Sequence, residues 1–193
     1  MDLILASTSP YRRKLLERLQ LPFRCIAPGT DESSHRDEQP AALAGRLARA
    51  KAQSIAREYP DAIIIGSDQV ASLNGNLMGK PGTYEAAVTQ LTASSGQSVR
   101  FHTGVALACA GRRLDWFHVE PFTAHFRQLT GTTIEDYLRR EQPYDCAGSF
   151  KCEGLGIALF ERLEGNDPTS LEGLPLIALT ALLTRAGLAI LQP

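Results

Sequence analysis

The chain has 193 residues, 44% of them hydrophobic, enough to bury one sizeable core or two small lobes without disulfide or metal staples. Its 20 Lys+Arg against 21 Asp+Glu leave a formal net charge of -1, which excludes a global basic field for nucleic acid and makes any phosphate binding local. Residues 174–183, the longest apolar stretch, contain Pro175 and Thr180 and fall well short of the roughly 20 residues a membrane span requires.

In chain order, residues 2–6 are a short apolar run, too short and wrongly charged for a signal peptide. Ser9 is placed to cap a helix with Pro10 at its first position, running to about Leu19. Arg12 and Arg13 fall in its first turn, where cations oppose the helix dipole, which points to a bound anion. Residues 23–27 read as a strand, residues 28–39 as an acidic loop, and residues 40–58 as a long Ala-rich helix. Residues 61–67 include Ala62-Ile63-Ile64-Ile65, an unalternating run expected of a strand covered on both faces, with Asp68 at its end. Asn74-Gly75 then signals a tight hairpin, with residues 76–79 as the return segment.

Thr83 is placed to cap a helix through about Ala93, ended by Ser95-Gly96. A long hairpin follows, residues 99–110 and 114–126, turning at Gly111-Arg112. Residues 132–141 read as a helix, 147–153 as a Gly-bounded loop, 157–162 as a strand and 174–186 as the closing helix, stopped by Gly187. Without repeat or linker, this order predicts one α/β domain over residues 1–193. The expected architecture is a mixed, largely two-lobed sheet with flanking helices around a central substrate cleft. Cys25, Cys109, Cys146 and Cys152 show no zinc spacing and read as reduced thiols of a cytoplasmic protein.

The obvious nucleotide motifs fail. Gly75-Asn76-Leu77-Met78-Gly79-Lys80-Pro81 is one residue short of a Walker A loop and has Pro81 where Ser or Thr belongs. Gly154-Leu155-Gly156 lacks the third glycine of a dinucleotide fingerprint, and His35, His102, His118 and His125 form no triad or metal spacing. What remains are short polar motifs at the ends of apolar elements. These are Ser7-Thr8-Ser9-Pro10-Tyr11-Arg12-Arg13, Asp31-Glu32, Ala48-Arg49-Ala50-Lys51-Ala52, Gly66-Ser67-Asp68-Gln69 and Gly79-Lys80-Pro81.

Together with Ser95-Gly96, Thr103-Gly104 and Ala147-Gly148-Ser149-Phe150, in that order along essentially the whole chain, they resemble the Maf family of nucleotide pyrophosphatases. The resemblance implies a phosphoanhydride hydrolase of class EC 3.6.1 acting on a small nucleotide with Mg²⁺, Mn²⁺ or Co²⁺, and a homodimer is suggested by resemblance alone. It implies phosphate binding by Ser7, Ser9, Arg12 and Arg13, and a catalytic set of Glu32, Lys51, Asp68 and Lys80. Glu32 and Asp68 are hard oxygen ligands suited to the metal, and the family position matching Asp68 is assigned as general base. The residues alone do not separate base from ligand. Ser9 could be only a cap, Arg12-Arg13 a solvated face, Lys51 and Glu32 surface charges, Lys80 a turn residue and Asp68 a turn cap.

Three positions resemble the family branch acting on 7-methyl-GTP: Tyr11, standing where Trp is more familiar, Gln69 and Glu153. Methylation at N7 makes guanine cationic, favouring an aromatic face and a carboxylate at the ring edge. A branch acting on dTTP and UTP, with Gly-Ala-Asp-Thr in place of Gly-Ser-Asp-Gln, is the alternative. A non-catalytic nucleotide-binding regulator of division is a third reading, which needs the cations but not Asp68.

Overall fold

The computed structural model describes residues 2–191. Its elements are β1 (Leu3–Ala6), α1 (Pro10–Glu17), β2 (Arg24–Ile26), α2 (Pro40–Ala56), β3 (Ile63–Leu73), β4 (Asn76–Met78) and α3 (Tyr84–Ser94). The second half adds β5 (Ser98–Cys109), β6 (Leu114–Phe126), α4 (Gly131–Glu141), a 3₁₀ turn (Leu155–Leu159), β7 (Phe160–Gly165), α5 (Thr169–Glu172) and α6 (Leu176–Arg185). The strands form a seven-stranded mixed sheet in the order β2-β1-β3-β5-β6-β7, with β4 on β3. The chain is thus of the expected mixed α/β class, and it divides into two compact units.

The first unit comprises Met1–Gln69, Thr103–Glu120 and Asp167–Pro193. Here β1 lies between β2 and β3, parallel to both, with Leu3 opposite Ile63 and Ala6 opposite Gly66. Parallel neighbours need a crossover, which α1 supplies between β1 and β2. Both sheet faces are covered. Leu3, Leu5, Ile63 and Ile65 join Leu15 and Leu16 of α1 and Leu179 and Leu183 of α6. Ile4, Ala6 and Ile64 join Ala48, Ala52 and Ile55 of α2. That two-sided burial is why residues 62–65 carry no alternation.

The second unit, Val70–His102 with Pro121–Asn166, has its own core. Phe101, Phe126, Phe150 and Phe160 meet edge to face, with centroids from 4.8 to 5.8 Å apart. The Ala147-Gly148-Ser149-Phe150 motif serves this core: Phe150 is its hub, and Ser149 Oγ donates to Gln90 Oε1 at 2.6 Å.

Local signals fare well at turns and caps. Ser9 and Thr83 accept from the third following backbone N–H, and Asn74 and Gly75 both take positive φ, as a tight hairpin requires. Two expectations are corrected, and one helix is added. Asp68 is mid-strand, because β3 runs on to Leu73 instead of stopping at Ser67. The strand expected at residues 157–162 begins at Phe160, because Glu141 Oε2 accepts from Leu155 N–H at 2.7 Å and the backbone winds into a 3₁₀ turn. Residues 169–172, to which the sequence assigned no element, form α5.

Candidate active site

β3 presents alternate residues to its two faces: Gly66 and Asp68 to α2, and Ser67 and Gln69 to residues 170–173. At Gly66 a Cβ would land on the Ala48 carbonyl oxygen and within 2.6 Å of the Ala52 nitrogen, and at Gly104 on β5 it would land on the Ala44 carbonyl. Ala44, Ala48 and Ala52 lie four residues apart on one helical face, each fully buried. Two glycines facing an alanine stripe let α2 rest directly on the sheet, which brings the next helical position, Lys51, down to Asp68.

Lys51 Nζ lies 2.6 Å from Asp68 Oδ1 and 2.6 Å from Glu32 Oε1. Lys51 and Asp68 are nearly inaccessible, with side chains 5% and 11% exposed, while Glu32 at 58% is open to solvent. Opposite charges are tolerated at this depth because each offsets the other's lost hydration. Two carboxylate oxygens therefore converge on one cation, no further apart than twice 2.6 Å. Glu32 is carried by the 28–39 loop, which α2 pins: Arg46 donates from Nε and Nη2 to the two oxygens of Glu38 and from Nη2 to the Ser33 carbonyl. The Arg46 fork, helped by the His35 N–H, holds the Glu38 carboxyl down to about 2.

The other face of β3 is tied to a strap built on α5. Gln69 Nε2 donates to the carbonyls of Ser170 at 2.8 Å and Leu171 at 3.1 Å, and contacts Thr103 Oγ1 at 3.2 Å. Thr103 Oγ donates to the Ser170 carbonyl at 2.9 Å, and Ser67 Oγ to that of Gly173 at 3.0 Å. Buried Asp167 holds the strap, accepting from Thr169 N–H, Thr169 Oγ and Ile177 N–H. Carbonyls only accept, so the Gln69 amide nitrogen must face the strap and Oε1 must point away.

The N-terminal motif divides. Ser9 Oγ accepts from Arg12 N–H at 3.3 Å, and Ser7, buried, accepts from Ser9 N–H at 3.1 Å. Arg12 turns inward, its Nε donating to the Gly173 carbonyl at 2.9 Å. Burial pulls its pKa down, while the fields of Asp68 and Glu32 pull it up. Arg13 turns outward and pairs with Glu17 at 3.1 Å, on the exposed face. Tyr11 is half-buried on α1.

Lys51, Asp68, Glu32, Arg12, Ser7, Ser9 and Gln69 are thus gathered in the first unit, with Arg13 on its surface. Lys80 and Glu153 belong to the second. Lys80 is exposed between two ties, Gly79 O to Gln90 Nε2 at 3.0 Å and Gly82 N–H to Tyr144 O at 3.0 Å. Glu153 is exposed beside Cys152, whose Sγ approaches its Oε2 at 3.5 Å. The strap is invisible in the sequence because its acceptors are the backbone carbonyls of Ser170, Leu171 and Gly173, which carry no side-chain signature.

The family model for Maf-like proteins matches residues 2–186. The chain belongs to the Maf-like family. Among Maf-like relatives, a protein of Pseudomonas savastanoi pv. phaseolicola (strain 1448A / Race 6) named 7-methyl-GTP pyrophosphatase is 55% identical over 189 residues, covering 98% of each chain. The fold is similar to that of a HAM1 protein from Coxiella burnetii, with TM-score 0.54, 15% identity and coverage of 96% of this chain and 99% of that one. That likeness extends the Maf-like fold to a distant sequence and speaks to architecture alone.

Proposed function

We propose that residues 1–193 act as one nucleotide pyrophosphatase domain that hydrolyses 7-methyl-GTP to 7-methyl-GMP and pyrophosphate. The observation that carries this reading is the convergence of Glu32 and Asp68 on buried Lys51, and the full-length relative named for that reaction supports the substrate. Hydrolysis adds water to the α-phosphorus and breaks its bond to the α–β bridging oxygen, so pyrophosphate leaves. Arg12 and the Ser7 and Ser9 hydroxyls hold phosphate oxygens, and Lys80 adds a further cation. Arg13 joins them at small cost, because an exposed i,i+4 pair such as Arg13–Glu17 contributes only about 0.3–0.5 kcal/mol.

Lys51 donates to Asp68 Oδ1 and fixes the carboxylate, leaving Oδ2 to take the proton from water. Glu32 and Asp68 are the residues that would hold a divalent ion: they are hard oxygen donors already directed at one cation, and Mg²⁺ takes one or two carboxylates beside substrate phosphate. Such an ion, Mg²⁺, Mn²⁺ or Co²⁺, supplies charge neutralisation on the phosphoryl oxygens. Tyr11, Gln69 and Glu153 are assigned to base selection. Cys25, Cys109, Cys146 and Cys152 form no disulfide among the described residues, which suits a reducing cytoplasm. A non-catalytic binder has no use for a buried Lys51–Asp68 pair. The test is a nucleotide panel with pyrophosphate detection. 7-Methyl-GTP should give the highest kcat/KM, and orthophosphate as first product would contradict the assignment.

A further inference from the structure

Lys80 stands on a segment that no regular structure holds: residues 79–82 belong to no helix or strand, and Lys80 itself is exposed. Pro81 biases the residue before it toward extended backbone, which sets the direction of the chain but leaves its position open. A lysine ammonium on a flexible four-carbon stem is only as well placed as its own backbone. Two hydrogen bonds from outside the segment fix that backbone. Gly82 N–H donates to Tyr144 O at 3.0 Å, and the Gly79 carbonyl, next to Lys80, accepts from Gln90 Nε2 on α3 at 3.0 Å.

The half-buried Gln90 amide has one orientation open to it. A carbonyl only accepts, so the amide nitrogen must face Gly79, and Oε1 is left to accept from the Ser149 hydroxyl at 2.6 Å. Ser149 is fully buried and has φ 62°, following Gly148 at φ 79°. This is the left-handed region, where a Cβ is strained and glycine is not. Serine therefore stands where glycine would sit without strain, and the hydroxyl is what glycine lacks. Phe150, the hub of the aromatic core, follows directly, so that hydroxyl is delivered from a rigid site.

We propose that Ser149 and Gln90 are positioning residues for Lys80, forming a relay from the aromatic core through the Gln90 amide to the Gly79 carbonyl. The inference rests on the reading of Lys80 as a phosphate-holding cation and deepens it. Ser149 locks the amide in one orientation, the amide fixes the peptide before Lys80, and the volume open to the ammonium shrinks. Both residues act through Lys80 and not on the nucleotide.

The test is a double-mutant cycle on pyrophosphate release from 7-methyl-GTP, with Ser149→Gly, Lys80→Ala and the two combined, beside thermal unfolding. Ser149→Gly should lower kcat/KM on the order of 10-fold. Its Tm should stay within about 3 °C of the wild type, because relief of left-handed strain offsets the lost hydroxyl bond. In the Lys80→Ala background the same change should lower kcat/KM less than about 2-fold, since the group it positions is gone. Equal factors in the two backgrounds would mark Ser149 as merely structural and overturn the proposal, as would wild-type kcat/KM in Ser149→Gly. Gln90→Glu is an independent, isosteric check: it keeps an acceptor for Ser149 but sets a carboxylate oxygen against the Gly79 carbonyl. It should lose more activity than Ser149→Gly when Lys80 is present and little when Lys80 is alanine; an indifferent Gln90→Glu also overturns the relay. Wild-type kcat/KM in Lys80→Ala would bring down the reading of Lys80 itself, whereas an impaired Lys80→Ala with a harmless Ser149→Gly removes only this inference.

Discussion

Gly66→Ala tests the geometry that places Lys51. The added methyl would meet the Ala48 carbonyl, the Ala52 nitrogen at 2.6 Å and the Ala52 Cβ at 3.0 Å. Carbon needs about 3.4 Å or more from such atoms, so the Ala52 nitrogen alone demands a withdrawal of roughly 0.8 Å, and the closer Ala48 carbonyl demands more than that. Overpacking of this kind costs about 1–3 kcal/mol, and the stiffer unfolded chain returns about 0.4–1 kcal/mol. The net loss of about 1–2 kcal/mol lowers Tm by roughly 2–8 °C in a chain of this size. Activity should suffer far more. Lys51 rides on the same stretch of helix, and a misplacement near 1 Å at a reacting centre costs on the order of 100-fold. Gly104→Ala is the matched control. It meets the Ala44 carbonyl, farther along α2 from Lys51, and should lose similar stability with a smaller fall in kcat. Thermal unfolding and pyrophosphate release give the two numbers. Equal activity losses in the two variants, or a Gly66→Ala protein with wild-type kcat, would refute the claim that this contact sets the Lys51 position.

Three further outcomes are expected. Asp68→Asn should abolish turnover while calorimetry still detects nucleotide binding, and retained turnover would remove Asp68 from the proton transfer. Arg12→Ala should reduce kcat/KM at least 10 times more than Arg13→Ala, because only Arg12 is directed inward by Gly173; comparable losses would give Arg13 an equal share. The third outcome concerns pH and the 28–39 loop. The Glu38 carboxyl is depressed to about 2 in the fold against about 4.3 unfolded, so its Arg46 anchorage is fully present above about pH 4.3 and is lost as pH falls toward 2. Pepsin should therefore spare the loop of the wild type at pH 4 and cut it near pH 2, while Glu38→Gln is already cut at pH 4. Identical cleavage profiles would separate Glu38 from the anchoring of Glu32.

Much of this was legible because local chemistry and tertiary demand agree. Ser9 and Thr83 cap where a hydroxyl before a helix should, and residues 62–65 are doubly buried as their unbroken apolar run requires. The failures lie where the partner is distant in sequence. Asp68 looked terminal because apolar residues stop at Ile65, yet β3 continues through polar Ser67, Asp68 and Gln69, each engaged by a group outside the strand. Arg12 and Arg13 are adjacent and chemically alike, and α1 points them about 100° apart, one to the Gly173 carbonyl and the other to Glu17.

The shared lysine also bears on the order in which ligands arrive. With Lys51 drawing on both Glu32 and Asp68, the pair of carboxylates carries its own counterion. A bare divalent cation must then compete with an ammonium that cannot leave, being fixed to a buried helix. A cation already chelated by a polyphosphate brings compensating negative charge for Lys51 and Arg12. On the proposed function, the incoming species would be a preformed metal–nucleotide complex, and metal affinity measured without nucleotide should understate the affinity that operates during turnover.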